Sequence, residues 1–316
     1  MPPRVLVTET LDAAAADWLA QRVELIDCPF DNQDDLDRLL RHAAGLVVRT
    51  YTRVNPSLLD KAPNLKVVGR AGIGLDNIDL DACRQRGVTV VYTPDAGTQA
   101  VTEYVVGLML DALRPRTAHN GHLSPEQFHH LRKTEVGKQL NEQTLGILGF
   151  GRIGKALGQA ACGLAMNVLV NDLLPEAQLR KAVDYSYDFV DKPTLYRESD
   201  ILSIHVDGRA ENRHLIDADA LAQLKPTCVF INTSRGMVID HHALADWVGR
   251  HPDAKVILDV HDPEPPPPDY PLYGLSNVRL LPHLASRTDT ALKNMSWVVR
   301  DVVAVLEGKA PRYPAV

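Results

Sequence analysis

The stretch TLGILGFGRIGKALG, Thr144 to Gly158, decides how the chain is read. An apolar run, Leu145–Leu148, meets glycines at 149, 151 and 154, and a helical pattern continues from Lys155 to Cys162. The order is strand, tight turn, helix. In such a unit Gly149 permits the turn, Gly151 lets a pyrophosphate approach the backbone, and Gly154 lets helix and strand pack closely. The helix start offers unpaired N–H groups and the positive end of its dipole to phosphates. Arg152 adds a cation beside them. The glycine spacing alone is a weak signal, and the flanking strand and helix are what give it weight.

The next strand, NVLVND, ends in Asp172, 18 residues beyond Gly154. A carboxylate there accepts from both ribose hydroxyls of adenosine and repels a 2′-phosphate. Leu173 and Leu174 follow, with no adjacent arginine. This favours NAD over NADP, with an aspartate that caps a turn as the plain alternative.

Outward from this stretch, short apolar runs alternate with helical patterns along the whole chain. One series is Val5–Val7, Val23–Ile26, Leu46–Val48, Lys66–Val68 and Val88–Val91. A second is Leu145–Leu148, Val168–Val170, Ile201–Ile204, Val229–Ile231, Val256–Leu258 and Val278–Leu281. Runs without strict alternation suit strands buried on both faces of a parallel sheet, so the class is α/β. Two series imply two sheets. A long apolar helix near Val101–Leu113 separates them, followed by a polar segment up to Gln143 that reads as a linker, lid or subunit-contact arm. Leu292, Met295, Val299, Val302 and Leu306 form one face of a helix, which is expected to return to the first domain and leave a hinged cleft between the two.

The 316 residues suffice for two domains, and 45% hydrophobic with 23% charged residues describes a globular chain. A net charge of -6 argues against a nucleic-acid groove or a basic membrane face. No run reaches membrane-spanning length, and MPPRVLVTET reads as a first strand, not a signal peptide. Cys28, Cys83, Cys162 and Cys228 are widely spaced, as expected of reduced thiols in the cytoplasm. The pairs His129-His130 and His241-His242 lie in polar, helix-like surroundings and read as solvated surface, with no metal site.

Three motifs each follow a strand of the second sheet, where ligands of open α/β sheets bind. Arg235 stands in FINTSRGMVID, Glu264 in VILDVHDPEPPPPDYP after Asp259, and His283 in RLLPHLASRT. Reducing a 2-keto acid needs a cation for the carboxylate and keto oxygen, which suits Arg235. It also needs a proton donor near neutral pH, which suits a histidine oriented by a carboxylate. The four prolines after Glu264 stiffen its loop, which reads as an active-site wall and not a linker.

GFGRIG, INTSRG, LDVHDPEP and LLPHLAS, in this order and spacing, resemble the D-isomer-specific 2-hydroxyacid dehydrogenases. VVRTYTRV and GRAGIGLDNIDLDACRQRGV look most like phosphoglycerate dehydrogenases within that family. The match runs from about Val47 to Thr288. The resemblance implies a Rossmann cofactor domain, 101–285, inserted into a flavodoxin-like substrate domain, 1–100 and 286–316. It implies that Arg235 binds substrate, Glu264 supports the base and His283 exchanges the proton. NAD contacts would come from Gly149, Gly151, Arg152, Ile153, Gly154, Asp172, Val206, Thr233, Ser234, Asp259 (at the carboxamide), Ala285 and Ser286. Substrate contacts would come from Arg49, Arg70, Gly72, Ile73 and Gly74. A homodimer through the cofactor domain is implied too, partly by the segment after the long helix.

The departures are local. His261 stands where the family commonly has an aromatic residue, and is read as packing. HVDGRAEN, from His205, replaces a His-x-Pro-Leu-Thr pattern, and Asp207 and Gly208 are expected to loosen that loop. Gly97 stands where asparagine is frequent.

Phosphoglycerate is the first substrate expected, because Arg49, Arg53 and Arg70 suit a phosphate plus a carboxylate. Glyoxylate, hydroxypyruvate and branched 2-keto acids are the others. With the chain ending at Val316, no serine feedback is expected. Two other classes compete: an NAD-binding corepressor-like assembly protein of the same fold, which usually carries long disordered extensions, and an adenosylhomocysteinase-like relative, which carries insertions.

Overall fold

The computed structural model describes residues 2–316. The chain divides into two compact units, one of residues 1–98 with 286–316 and the other of residues 99–285.

The first unit is a five-stranded parallel sheet: β1 (Arg4–Val7), β2 (Glu24–Asp27), β3 (Gly45–Val48), β4 (Val67–Arg70) and β5 (Thr89–Tyr92), in the order β2-β1-β3-β4-β5. This is the flavodoxin-like order. β3 is buried at every position, as expected for a strand covered on both faces. The sequence's apolar C-terminal face does return here, but as two helices, Asp289–Ser296 and Val299–Leu306. The second packs so tightly on β4 that a Cβ at Gly69 would lie 2.4 Å from Val302 Cγ2. Residues 313–316 run along the open edge of β5, with Tyr92 N–H donating to Tyr313 O and Ala315 N–H to Val90 O. That covers an edge otherwise available for pairing.

The second unit has seven parallel strands: β6 (Thr144–Leu148), β7 (Asn167–Asn171), β8 (Asp188–Phe189), β9 (Ile201–Ile204), β10 (Val229–Asn232), β11 (Lys255–Leu258) and β12 (Val278–Leu280). Their order, β12-β11-β10-β9-β6-β7-β8, is that of the doubly wound dinucleotide fold. The crevice where winding reverses lies between β6 and β9. β8, which the apolar pattern did not disclose, is a two-residue edge strand. The polar segment after the helix Thr98–Leu113 contains a helix of its own, Pro125–Thr134, capped by a reciprocal Ser124–Gln127 box and with no buried residue.

Among the described residues, no helix is long and apolar enough to cross a membrane, and no group of His, Cys, Asp or Glu could hold a metal ion. Burial pushes the Cys83 thiol up to about 11 and Cys228 to about 12, so both stay protonated and unreactive. One surface histidine needs correction. His241 is 8% exposed, leans on Tyr270 with ring centroids 5.2 Å apart, and is lowered by burial to about 4. It begins the helix His241–Arg250, and its polar sequence neighbours conceal that the first turn faces inward.

Candidate active site

The glycine turn has the form its spacing implied. Gly149 sits at φ +93°, and a Cβ there would lie 2.7 Å from the carbonyl of His205, across the β6–β9 crevice. At Gly154 a Cβ would lie 2.2 Å from Gly149 O, so the helix start presses on the turn. Around Gly151 there is open space instead. Gly151 caps the helix Arg152–Gly163 without any side-chain cap. The first turn of this helix therefore has no side-chain cap, and the backbone at Gly151 is open to close approach by a phosphate. Across the crevice, His205 Nδ1 and Thr233 Oγ1 are buried polar atoms with no partner. Both stand after strand ends, and a dinucleotide's hydroxyl and amide groups suit them. The residues fit the cofactor.

Asp172 follows β7, and its carboxylate is engaged by the backbone. Oδ2 accepts from Phe150 N–H at 2.6 Å and Oδ1 from Leu174 N–H at 2.8 Å. It therefore shapes the glycine turn directly, and each oxygen keeps a lone pair for a ribose hydroxyl. Arg152 is exposed, with Ile153 half-buried behind it. Val206 begins the loop after β9, and that loop is not loose. Asp207 accepts from Arg209 Nε at 2.7 Å and from Arg209 Nη2, while Asn212 Nδ2 donates to its carbonyl and carboxylate at 3.0 and 2.9 Å. A guanidinium–carboxylate fork supplies the rigidity that proline would otherwise give.

After β10, Asn232 folds the turn on itself. Its Oδ1 accepts from Ser234 N–H at 2.9 Å and Ser234 Oγ at 2.7 Å, and its Nδ2 donates to Arg235 O at 2.9 Å. Arg235, half-buried, leaves this turn with Nη1 on Ser234 O at 2.6 Å. Thr233 and Ser234 are each 8% exposed.

The loop after β11 carries Glu264, with cis peptides at Asp262–Pro263 and Glu264–Pro265. Glu264 Oε2 accepts from His283 Nδ1 at 2.9 Å, and Oε1 accepts from His261 N–H at 2.9 Å. Burial pushes its pKa up, but the His283 and His261 hydrogen bonds outweigh burial and hold it below the ordinary carboxylate value. A carboxylate only accepts, so His283 Nδ1 carries the proton and Nε2 points away as the reactive nitrogen. His283 itself sits at φ +56°, a conformation costing about 1 kcal/mol for a residue with a Cβ. Asp259, with no exposed surface, holds that turn: its two oxygens accept from Leu284 N–H and Ala285 N–H at 2.8 Å each. Burial raises the Asp259 pKa. As it stands, the carboxylate faces the His283 turn and presents no surface to a ligand. Ala285 is buried and Ser286 half-buried.

The residues expected at substrate gather in the first unit, at its own reversal point between β1 and β3. Glu9, after β1, binds the loop after β3: Oε1 accepts from the N–H groups of Arg49 and Tyr51 at 3.0 Å, and Oε2 from Thr50 N–H at 2.9 Å. Arg49 then reaches Thr10 O at 3.1 Å. Val48 pairs with Arg70 across β3 and β4, so Arg49 and the turn Arg70–Gly74 emerge side by side. At Gly72, φ +156°, a Cβ would fall 1.2 Å from Arg70 Nη1; the guanidinium lies over the glycine. Ile73 Cδ1 would lie 2.8 Å from a Cβ at Gly97, a contact that a turn of the Ile73 side chain would relieve. Sequence reasoning missed Glu9, Asn232, Gly236 and Arg287. Arg287 acts on Arg49: burial lowers the Arg49 pKa, and the neighbouring Arg287 charge lowers it further.

A dinucleotide fold bearing a carboxylate-held histidine and a strand-end arginine defines a nicotinamide-linked oxidoreductase. The model of the D-isomer specific 2-hydroxyacid dehydrogenase NAD binding domain matches residues 106–285. A (S)-sulfolactate dehydrogenase of Chromohalobacter salexigens is 35% identical over 310 residues, 95% of this chain and 96% of that protein. A D-3-phosphoglycerate dehydrogenase of Archaeoglobus fulgidus is 32% identical over 307 residues, 96% of this chain, which spans 58% of that relative's length. Among solved structures, an NADPH-dependent glyoxylate/hydroxypyruvate reductase of Sinorhizobium meliloti, solved with NADP and malonate, aligns at TM-score 0.82 and 26% identity, covering 100% of this chain and 97% of that one. The chain belongs to the D-isomer specific 2-hydroxyacid dehydrogenase family.

Proposed function

We propose that the protein reduces a 2-keto acid carrying a second anionic group, phosphohydroxypyruvate first, to the D-2-hydroxy acid, and can run the reverse oxidation. The observation that carries the reaction is the 2.9 Å contact between His283 Nδ1 and Glu264, which leaves Nε2 to give a proton to the keto oxygen. When bound, NADH supplies the hydride to C2. Arg235 grips the substrate carboxylate and polarises the keto group with its forked donors. Glu264 orients the imidazole and stabilises its charged form. In the first unit the turn Arg70–Gly74 offers the N–H groups of Ile73 and Gly74 to an anion, Gly72 N–H already donating to Arg70 O at 2.8 Å. Asp172 selects NAD by accepting the adenosine ribose and repelling a 2′-phosphate.

The second anionic group rests on Arg49 and Arg287. The Arg287 charge bears on Arg49 more than the Glu9 carboxylate does, and two cations so placed make a place that gains from an anion. The sulfonate and phosphate in the names of two relatives fit that description. The protein pairs with a second copy through the unit of residues 99–285. The helix Pro125–Thr134 buries nothing of its own, leaving Phe128 46% exposed, and Val136 just beyond it is 80% exposed; the segment suits a contact arm, since so short a helix gains most of its stability from packing.

The test is a panel of 2-keto acids with NADH and NADPH, followed at the nicotinamide absorbance. Phosphohydroxypyruvate or sulfopyruvate should be reduced fastest, with NADH preferred. NADH binding without reduction of any keto acid would favour an NAD-dependent assembly protein instead. Faster turnover of glyoxylate or hydroxypyruvate would remove the second anionic group from the proposal.

A further inference from the structure

We infer that His261 is a positioning residue for the Glu264–His283 pair, closing it into a ring of hydrogen bonds. The inference rests on the reading of His283 as proton donor and goes beyond it.

Three bonds make the ring. The backbone N–H of His261 donates to Glu264 Oε1 at 2.9 Å, and His283 Nδ1 meets Glu264 Oε2 at 2.9 Å. The His261 side chain closes the circuit, its Nε2 lying 2.8 Å from Leu281 O, two residues before His283. A carbonyl only accepts, so Nε2 carries the proton and Nδ1 holds a lone pair. That lone pair faces Tyr270 OH at 3.3 Å. Burial raises the Tyr270 phenol pKa, so the hydroxyl remains a donor and the tautomer is fixed from both sides. Both ring nitrogens are spoken for.

His261 thus holds the Glu264 loop through its backbone and the His283 strand end through its side chain. A ring that only filled space would need neither nitrogen, since an apolar aromatic would make the same edge contact with Tyr270, now at 5.6 Å and 86°. His261 is 8% exposed, so water does not readily replace its bond to Leu281 O, and its loss leaves a part-buried carbonyl unpaired. The groups facing Glu264 and His261 are His283, Asp259, Tyr270, His241 and Asp262, the last paired with Arg213 at 3.1 Å. Asp259 and the His283–Glu264 bond also join the two loops, at residues 283 to 285, and the His261 side chain adds the tie at Leu281 O, ahead of His283.

Three variants test this: His261→Phe keeps the packing, His261→Gln can restore a donor toward Leu281 O, and Tyr270→Phe removes only the outer bond. Each is measured for NADH affinity by fluorescence titration, and for kcat, KM and the pH profile on the best keto acid of the panel. His261→Phe should lower kcat about tenfold, the scale of a slightly misplaced catalytic group, with KM and NADH affinity within about twofold of the parent. The acid limb of its kcat/KM profile should move to higher pH, because Glu264 is held low by hydrogen bonds that the variant loosens. His261→Gln should recover most of the rate, and Tyr270→Phe should stay near the parent. Parental kcat with an unmoved acid limb in His261→Phe would overturn the inference. So would a loss of NADH binding parallel to the loss of rate, or a Gln variant no better than Phe. If His261→Phe fails to fold, the Gln and Tyr270 variants decide alone: a Gln variant well below parental kcat, or a Tyr270 variant as slow, refutes the assignment. An inactive parent that binds NADH would refute the proposed function rather than the ring, whose His283–Glu264 proton would still be read by NMR in each variant.

Discussion

Gly236 and His261 lie backbone against backbone: a Cβ at Gly236 would stand 2.0 Å from the carbonyl carbon of His261. This contact presses the turn that carries Arg235 onto the loop that carries Glu264, with no room for a methyl group. Gly236→Ala should therefore push the two loops apart. Unfolding should cost about 1–3 kcal/mol less, the scale of overpacking, and kcat should fall about 100-fold. Denaturant melts and steady-state kinetics check this; a fully active Ala variant would show that the loops tolerate separation.

Asp259 separates two roles. Its carboxylate clamps Leu284 N–H and Ala285 N–H at 2.8 Å each, holding His283 at its positive φ. In Asp259→Asn one oxygen becomes an NH2 group facing a backbone donor. If the clamp is its work, kcat should fall about tenfold or more while NADH affinity changes little. A rise in the NADH Kd with kcat kept would instead assign it to the nicotinamide carboxamide.

Arg287 sets a third expectation. Arg287→Ala should raise KM for phosphohydroxypyruvate by about tenfold, the loss of one charge-assisted contact, and leave KM for glyoxylate nearly unchanged. Equal effects on both substrates would place Arg287 outside the second anion subsite.

Stability should fall in mild acid. Burial lowers His205 and His241 from 6.5 to about 4. The unfolded chain takes up their protons as pH drops through 6.5, whereas the folded chain refuses them until about pH 4. This contribution is flat above pH 6.5 and grows more destabilising down to pH 4. His241→Phe, which keeps an aromatic ring against Tyr270, should lose about 2 kcal/mol less than the parent between pH 7.5 and pH 5. Parallel curves for the two proteins would contradict the buried neutral state.

What could be read in advance follows from where the forces lie along the chain. The turn Gly149–Gly154 was legible because strand, glycines and helix are consecutive along the chain. Both parallel sheets were legible because strands such as β3 and β9 are buried at every position and mostly apolar. The helix Pro125–Thr134 was hidden by its lack of an apolar stripe, although Ser124 and Gln127 form a capping signal that could have marked its start. The break between the two C-terminal helices was hidden because Met295, Val299 and Val302 keep one face through it. The clamp from Asp259 to residues 284 and 285 joins positions some 25 residues apart, and no local pattern announces it. His261 was legible only as an unusual residue; its partners are Tyr270, nine residues on in the same loop, and Leu281, beyond β12.

The most direct test of the central claim is a single-turnover measurement on His283→Asn. Enzyme preloaded with NADH is mixed with the best 2-keto acid, and the loss of nicotinamide absorbance is timed. NADH affinity should be unchanged and hydride transfer slowed by about 10²–10⁴-fold, the contribution of a general acid. Transfer within about twofold of the parent would show that the proton comes from elsewhere, and that the Glu264–His283 pair is not the reacting centre.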